Sequence, residues 1–411
     1  MSYILKKDPI FIIFLSLFLS AYSAFTFASF QVTLVHIGII TGIAISLLIS
    51  RKKLYLQNYM LFSILICILS LLSMIQVNSE YNSAFLTLFF YVTLIFTNRK
   101  ISSSTFNKEI SLFINAMRFF SIYGIYQFFG RYFSLPLSNL YISNFMVKGY
   151  NWTNLIRVGN IEFYRSNAIF LEPSIFSRLI VLALFLHIDE YLFIKKIDIR
   201  FYLSIIIFVL AFLLTFSGAG LFHIIFIGIF LLIKNRRKFA KRLDFTFKLI
   251  VPILLLSILI LLVAPSTLTY FTDRLSEFGI AGKSASLRYV APYELLIESL
   301  NHRPLFGFGI GSREFVSRNF GSNIVVTDGL DATIARIGIE LGIIGILAYI
   351  FLLASLIRKR NFKISSYSIL VIFIIIELLN GEMFLNFVYY IFLTWINIDV
   401  RNDKDEYITY N

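Results

Sequence analysis

Apolar runs of roughly 17 to 25 residues follow one another along almost the whole chain, separated by short polar turns. Each run is long enough to cross about 30 Å of hydrocarbon as a helix. The runs lie at 10–28, 32–50, 56–75, 82–97, 110–132, 168–187, 201–217, 218–234, 248–265, 333–357, 367–381 and 384–399. Backbone groups in lipid must satisfy one another, which predicts helices or a closed barrel. The period-two alternation of a barrel is missing. The expected fold class is therefore an all-α polytopic membrane protein, one integral membrane domain over 1–411 with about twelve transmembrane helices. Lys6 and Lys7 ahead of the first run give it the look of a signal peptide. The run is long and has no small-x-small cleavage site, so it is expected as a retained span.

Two polar interruptions are too long to be turns: 134–167 and 266–332. Within the second, Ser286–Leu300 has apolar residues at helical spacing, and Pro292 is tolerable near a first turn. This predicts a short amphipathic helix on the membrane surface. Pro304–Gly311 follows as a turn. Its Gly307, Gly309 and Gly311 imitate a phosphate loop, but the strand before and helix after that such a loop needs are absent.

Composition agrees with this pattern, with 58% hydrophobic residues and a mean hydropathy of +0.81. The net charge of +14 does not predict a nucleic-acid partner. Most of the Lys and Arg fall in alternate short loops, among them Arg51-Lys52-Lys53, Arg99/Lys100 and Arg358-Lys359-Arg360, while turns such as 76–81 carry almost none. That alternation follows the positive-inside rule and predicts both termini in the cytoplasm, with 134–167 and 266–332 facing outward. The one cysteine, Cys67, lies inside a predicted span and excludes a disulfide within the chain. No HExxH or GxSxG occurs, and Asp328 with Asp331 is too thin a set for a metal site.

The candidate chemistry lies in and beside the two long loops. Arg165 stands just outside the run at 168–187, and Arg288 stands on the surface helix. A guanidinium offers a planar fork of donors matched to phosphate oxygens and stays charged at physiological pH. Two arginines from separate loops can clamp a diphosphate at headgroup depth; equally, they can bind ordinary anionic lipids or snorkel. Glu172 is a functional candidate as an intramembrane carboxylate, or a partner for Arg165 or Arg178. Asp331 is placed to take a proton from an attacking hydroxyl, or to cap the helix that follows it. Arg336 and Glu340 are four residues apart and share a helix face, where they can neutralise one another. His302 is the histidine of the large loop, a base or an idle surface residue, whereas His36, His187 and His223 read as packing residues. Glu377, Glu382 and Arg118 are intramembrane charges expected to pair or to line a cavity. Arg157, Arg178, Tyr289, His302, Arg303 and Arg336 complete the expected substrate contacts.

These residues, in this order, resemble the O-antigen polymerase and ligase superfamily of bacterial envelope enzymes over roughly Arg165–Tyr349. RSNAIFLEPSIFSRL is similar to that family's Arg-x-x-Gly-x-Phe-x-x-Pro element, with Ala168 where glycine is common. LLTFSGAGL resembles its Leu-Thr-x-Ser-x-x-Gly span, SASLRY…PLFGFGIG its Ser-x-Arg helix followed by Pro-Leu-x-Gly-x-Gly, and ELGIIGILAY its Gly-x-x-Gly span. The resemblance implies a GT-C-like fold, no cofactor or metal, and an active site at the periplasmic face of the inner membrane. It implies the joining of undecaprenyl-diphosphate-linked glycans as donor and acceptor, among membrane lipids and beside a chain-length-regulating co-polymerase. Ligases carry a His-Asn pair where this chain has Asp331 and Ala332, which favours polymerase over ligase. A flippase of the same lipid-linked sugars is the non-enzymatic alternative, although no inverted repeat is evident.

Overall fold

A computed structural model describes residues 17–19, 22–27, 30–50, 57–76, 79–139, 145–147, 155–158, 161–192, 199–236, 286, 290–321, 332–380 and 391–401. The apolar runs within these residues form helices close to where hydropathy puts them: α1 (Leu34–Ser50), α2 (Asn58–Ser73), α3 (Tyr81–Phe96), α4 (Ser103–Tyr132), α5 (Pro173–Leu192), α6 (Ile199–Leu214) and α7 (Ala219–Lys234). The large loop contributes α8 (Ala291–His302) and α9 (Arg313–Phe320), and two further apolar runs form α10 (Thr333–Leu356) and α11 (Ser365–Asn380). Among the described residues, α10 is the helix long and apolar enough to cross a membrane by length and composition. α2, α3, α6 and α7 are shorter apolar helices. Leu72, Phe85, Leu203 and Ile233 are 58%, 55%, 51% and 68% exposed, so these helices are apolar on their outer faces as well as inside. A helix that is apolar all round matches hydrocarbon surroundings rather than water.

α2 packs on α3 and α10, and α5 packs on α4, α6, α7 and α11. One continuous apolar core runs through the bundle, and a satellite cluster of Ala291, Leu295, Phe308, Val316 and Ile339 seats the loop helices on α10. One end of the bundle is closed by buried polar ties. Arg99, fully buried, pairs with Glu109 of α4, whose other carboxylate oxygen takes the Trp395 indole N–H at 3.1 Å.

The all-α expectation is corrected by three two-stranded sheets. The described part of the run at 10–28 is not a continuous helix. Leu17–Leu19 makes one 3-10 turn, and β1 (Ser23–Phe27) pairs antiparallel with β2 (Phe30–Thr33). Phe25 and Phe27 flank Thr26, and Phe30 and Val32 flank Gln31, a period suited to a pleated strand and blind to a hydropathy window. β3 (Arg99–Ser102) pairs in parallel with β6 (Ile398–Arg401), which ends the last predicted span in a strand. β4 (Leu155–Val158) and β5 (Ile161–Tyr164) form a hairpin inside the first long loop. The span predicted at 248–265 lies outside the described residues.

Candidate functional site

α8 begins as the sequence requires, with Pro292 in its first turn, where its missing N–H costs no hydrogen bond. α8 covers Ala291–His302, and within the predicted stretch Ser286 is also helical, its carbonyl accepting from Val290 N at 2.9 Å. The half-buried Tyr293 donates its hydroxyl to the Leu379 carbonyl at 2.8 Å, tying α8 to the end of α11. Burial pushes this phenol up from its ordinary pKa and keeps it a donor. His302 stacks on Phe320 of α9 at 4.2 Å between ring centroids, and its Nδ1 lies 3.0 Å from the Glu298 carbonyl.

The turn after α8 does more than reverse the chain. α10 is broken at Gly342, which has φ 68° and ψ −162°. A break inside so apolar a helix frees carbonyls and amides that apolar surroundings cannot satisfy. Residues 304–309 supply the partners. The Phe308 and Gly309 amides donate to the Ile339 and Glu340 carbonyls at 2.9 and 3.0 Å, while the Ile343 and Ile344 amides donate to Pro304 and Leu305 at 2.8 and 3.3 Å. Gly307 holds φ +64° with the Glu340 main chain 2.6 Å from where a Cβ would stand. The same segment leans on the α2–α3 turn: Glu80 N donates to Ile310 O at 2.8 Å and Arg303 Nη1 to Gln76 Oε1 at 3.3 Å. Glu340 Oε1 accepts from both Arg336 Nε, at 3.0 Å, and the Gly311 amide, at 3.1 Å. The expected neutralisation of Arg336 by Glu340 is present, with the loop backbone as a third member.

Arg165 stands at the same end of the bundle, on the segment that enters α5. Its Nε donates to the Thr215 carbonyl at 3.0 Å, and Ser166 N donates to Leu214 O at 3.0 Å, so the segment is fixed to the end of α6. Gln127, buried in α4, holds the next residues: its Oε1 accepts from the Asn167 and Ala168 amides at 3.1 and 2.9 Å, and its Nε2 donates to Ala168 O at 3.1 Å. Sequence reasoning missed Gln127, whose one signal is an amide in an apolar helix. It also missed Arg131, whose Nη1 donates to the Arg165 carbonyl at 3.4 Å and whose guanidinium lies 5.7 Å over the Tyr164 ring. Ala168 is held at φ 49°, a conformation that costs an L-residue roughly 1 kcal/mol and glycine little. Ala168→Gly should therefore leave thermal stability unchanged or raise it by up to about 1 kcal/mol. A fall in the melting midpoint of the purified protein would contradict this strain.

Glu172 was expected four residues inside a span. It precedes α5 instead, exposed, because Pro173 occupies the first helical position and disfavours helical geometry before it. Its Oε2 accepts the Ser174 hydroxyl at 2.7 Å. Arg178, one of the two partners suggested for it, pairs with Glu377 of α11 at 2.6 Å. His223 Nε2 of α7 lies 2.9 Å from the other Glu377 oxygen, so three helices meet at one buried carboxylate. Arg118 bonds Asn115 Oδ1 at 3.0 Å rather than an acid. Arg157 lies in β4, in register with Glu162. Arg288, Tyr289, Asp331 and Glu382 lie outside the described residues.

A bundle with apolar outer faces, buried ion pairs and a loop segment whose backbone plugs a broken helix fits an integral membrane protein. Comparison with known families carries the assignment further. The family model described as WcaD colanic acid polymerase matches residues 10–402, nearly the whole chain, and the chain belongs to that family. It is thus a membrane-embedded repeat-unit polymerase of the glycosyltransferase type. No curated protein matches the chain.

Proposed function

We propose that the chain joins undecaprenyl-diphosphate-linked oligosaccharide repeat units at the periplasmic face of the inner membrane. The family match over 10–402 carries this reading. A hydroxyl of the acceptor unit attacks the anomeric carbon of the donor, and the bond from that carbon to the diphosphate breaks. Undecaprenyl diphosphate leaves with the electron pair, and the hydroxyl proton passes to a carboxylate. Asp331 and Glu172 are the proposed bases. Arg165 and Arg288 are proposed to stabilise charge developing on the departing diphosphate.

The meeting of elements at one bundle end supports that clamp. α8, which follows Arg288 directly, is tied to the end of α11 through Tyr293. α11 is tied to α5 through Glu377 and Arg178, and Arg165 lies on the entry to α5. Holding both lipid carriers over one such surface supplies the orientation a bimolecular transfer needs. The charge pattern supports twelve spans, both termini in the cytoplasm and the loops 134–167 and 266–332 outside.

The polymer is O antigen or another repeat-unit polysaccharide of the kind that the family description names, colanic acid. Arg165→Ala and Arg288→Ala should each remove long polymer, by about a hundredfold or more, while single-unit products persist. Arg165→Lys should not restore full activity, because an ammonium lacks the bidentate fork. Full-length ladders from both alanine variants, on lipopolysaccharide and in lipid-free polysaccharide, would remove the clamp. Accumulation of polymer on undecaprenyl diphosphate after gene deletion would instead indicate a ligase.

A further inference from the structure

The opposite end of the bundle, remote from the broken helix, holds a cleft of about 380 Å³ between α4, α5 and the first turn of α11. Its walls carry opposite charges. Asp189 and Glu190 of α5 line it from one side, and Lys363 of the 3-10 turn before α11, with Ser365 and Ser366 of its first turn, line it from the other. Glu190 and Lys363 are exposed at the mouth, while Asp189 is 4% exposed and Ser365 is 8% exposed. Ser365 Oγ has no hydrogen-bond partner among the described residues. Ile110, Leu186 and Ile364 continue the cleft toward the apolar interior.

We infer that this cleft binds the headgroup of a zwitterionic phospholipid bearing a primary ammonium, a phosphoethanolamine lipid, from the surrounding leaflet. A primary ammonium has three N–H donors for carboxylates, which suits the Asp189 and Glu190 wall. A phosphodiester needs a cation and N–H or O–H donors, which suits Lys363, the Ser365 hydroxyl and the opening turn of α11. An anion alone would face two carboxylates, and a cation alone would face Lys363. A ligand carrying both charges a few ångströms apart satisfies both walls. The cleft opens where an apolar bundle ends, at headgroup depth, and its apolar floor receives the glycerol backbone. The inference does not depend on the arginine clamp, which lies at the other end.

The test is native mass spectrometry of the full-length protein released from detergent with equimolar phosphatidylethanolamine, phosphatidylglycerol and phosphatidylcholine of identical acyl chains. The wild type should retain phosphatidylethanolamine at least about fivefold over the other two, since one lacks the ammonium and the other cannot donate N–H. Glu190→Gln and Lys363→Ala, both at exposed positions, should each bring the three lipids toward equal retention while the protein stays monodisperse. Equal retention by the wild type would overturn the proposal, as would a preference that survives both substitutions. Free phosphoethanolamine that binds as tightly as the lipid would overturn the membrane source. Displacement of the lipid by a lysine-rich peptide alone would overturn the zwitterion.

Discussion

Gly342→Ala should destabilise the folded protein by on the order of 3 kcal/mol or more and abolish polymer. Two costs combine. At φ 68° and ψ −162°, a region essentially only glycine enters, an alanine carries roughly 1 to 3 kcal/mol of backbone strain. A Cβ there also stands 2.4 Å from the Leu305 carbonyl carbon and oxygen, and main-chain atoms cannot swing aside as a side chain would. Relief would require residues 304–309 to withdraw, which breaks the four main-chain hydrogen bonds across the gap. Each backbone group left bare in apolar surroundings costs several kcal/mol. Gly307→Ala should behave alike, at φ +64° with Ile339 O 2.6 Å away. Gly218 is the control: nothing lies within 4 Å of its added Cβ and its φ is −69°, so Gly218→Ala should change stability by less than about 0.5 kcal/mol. The measurement is the melting midpoint and monodisperse yield of each variant in detergent. A Gly342→Ala protein as stable as the Gly218→Ala protein would refute the plugged break.

Glu377→Ala should cost about 3 to 5 kcal/mol, because it leaves the Arg178 guanidinium buried without its carboxylate. His223 loses the same partner. The double variant Arg178→Met/Glu377→Leu removes both charges at similar volume and should recover most of the loss. This variant also separates two roles for Arg178. If the arginine ties α5 to α11, the double variant folds and polymerises. If it also holds substrate, the double variant folds and makes no long polymer. Failure of the double variant to fold better than Glu377→Ala would contradict the ion pair itself.

Much of the bundle was legible in the chain, and the reasons are local. Hydropathy over a helix length is a property of consecutive residues, so α1 to α7, α10 and α11 fall where the runs place them. The Arg336–Glu340 pair was legible for the same reason, being four residues apart on one helix. Where a short-range rule competed with the window average, the window misled. β1 arises from alternation within an apolar run, and Glu172 is set outside its helix by the proline that follows.

The candidate site was legible as a set of residues and not as an arrangement. Arg165 and Glu172 were identified by type and position, but the side chains that hold them, Arg131 and Ser174, needed the fold. Gly307, Gly309 and Gly311 marked an unusual backbone, and sequence alone could place it no better than a turn. Gly307 makes room for the Ile339 and Glu340 main chain at the break in α10, while Gly309 and Gly311 make room for Ser73, Gln76 and Glu80 of the α2–α3 turn.

The sequence by itself determined a chain of apolar helices with two polar loops and a family of polymerases, because transfer free energy and motif order are carried residue by residue. The tertiary structure alone decided which charges meet and where the helix breaks. Arg178 finds Glu377 199 positions away, and the amides freed at Gly342 find the carbonyls of Pro304 and Leu305. An unpaired charge or a bare amide is intolerable in an apolar bundle, but the rule requires only that some partner arrive. Which partner arrives is fixed by packing.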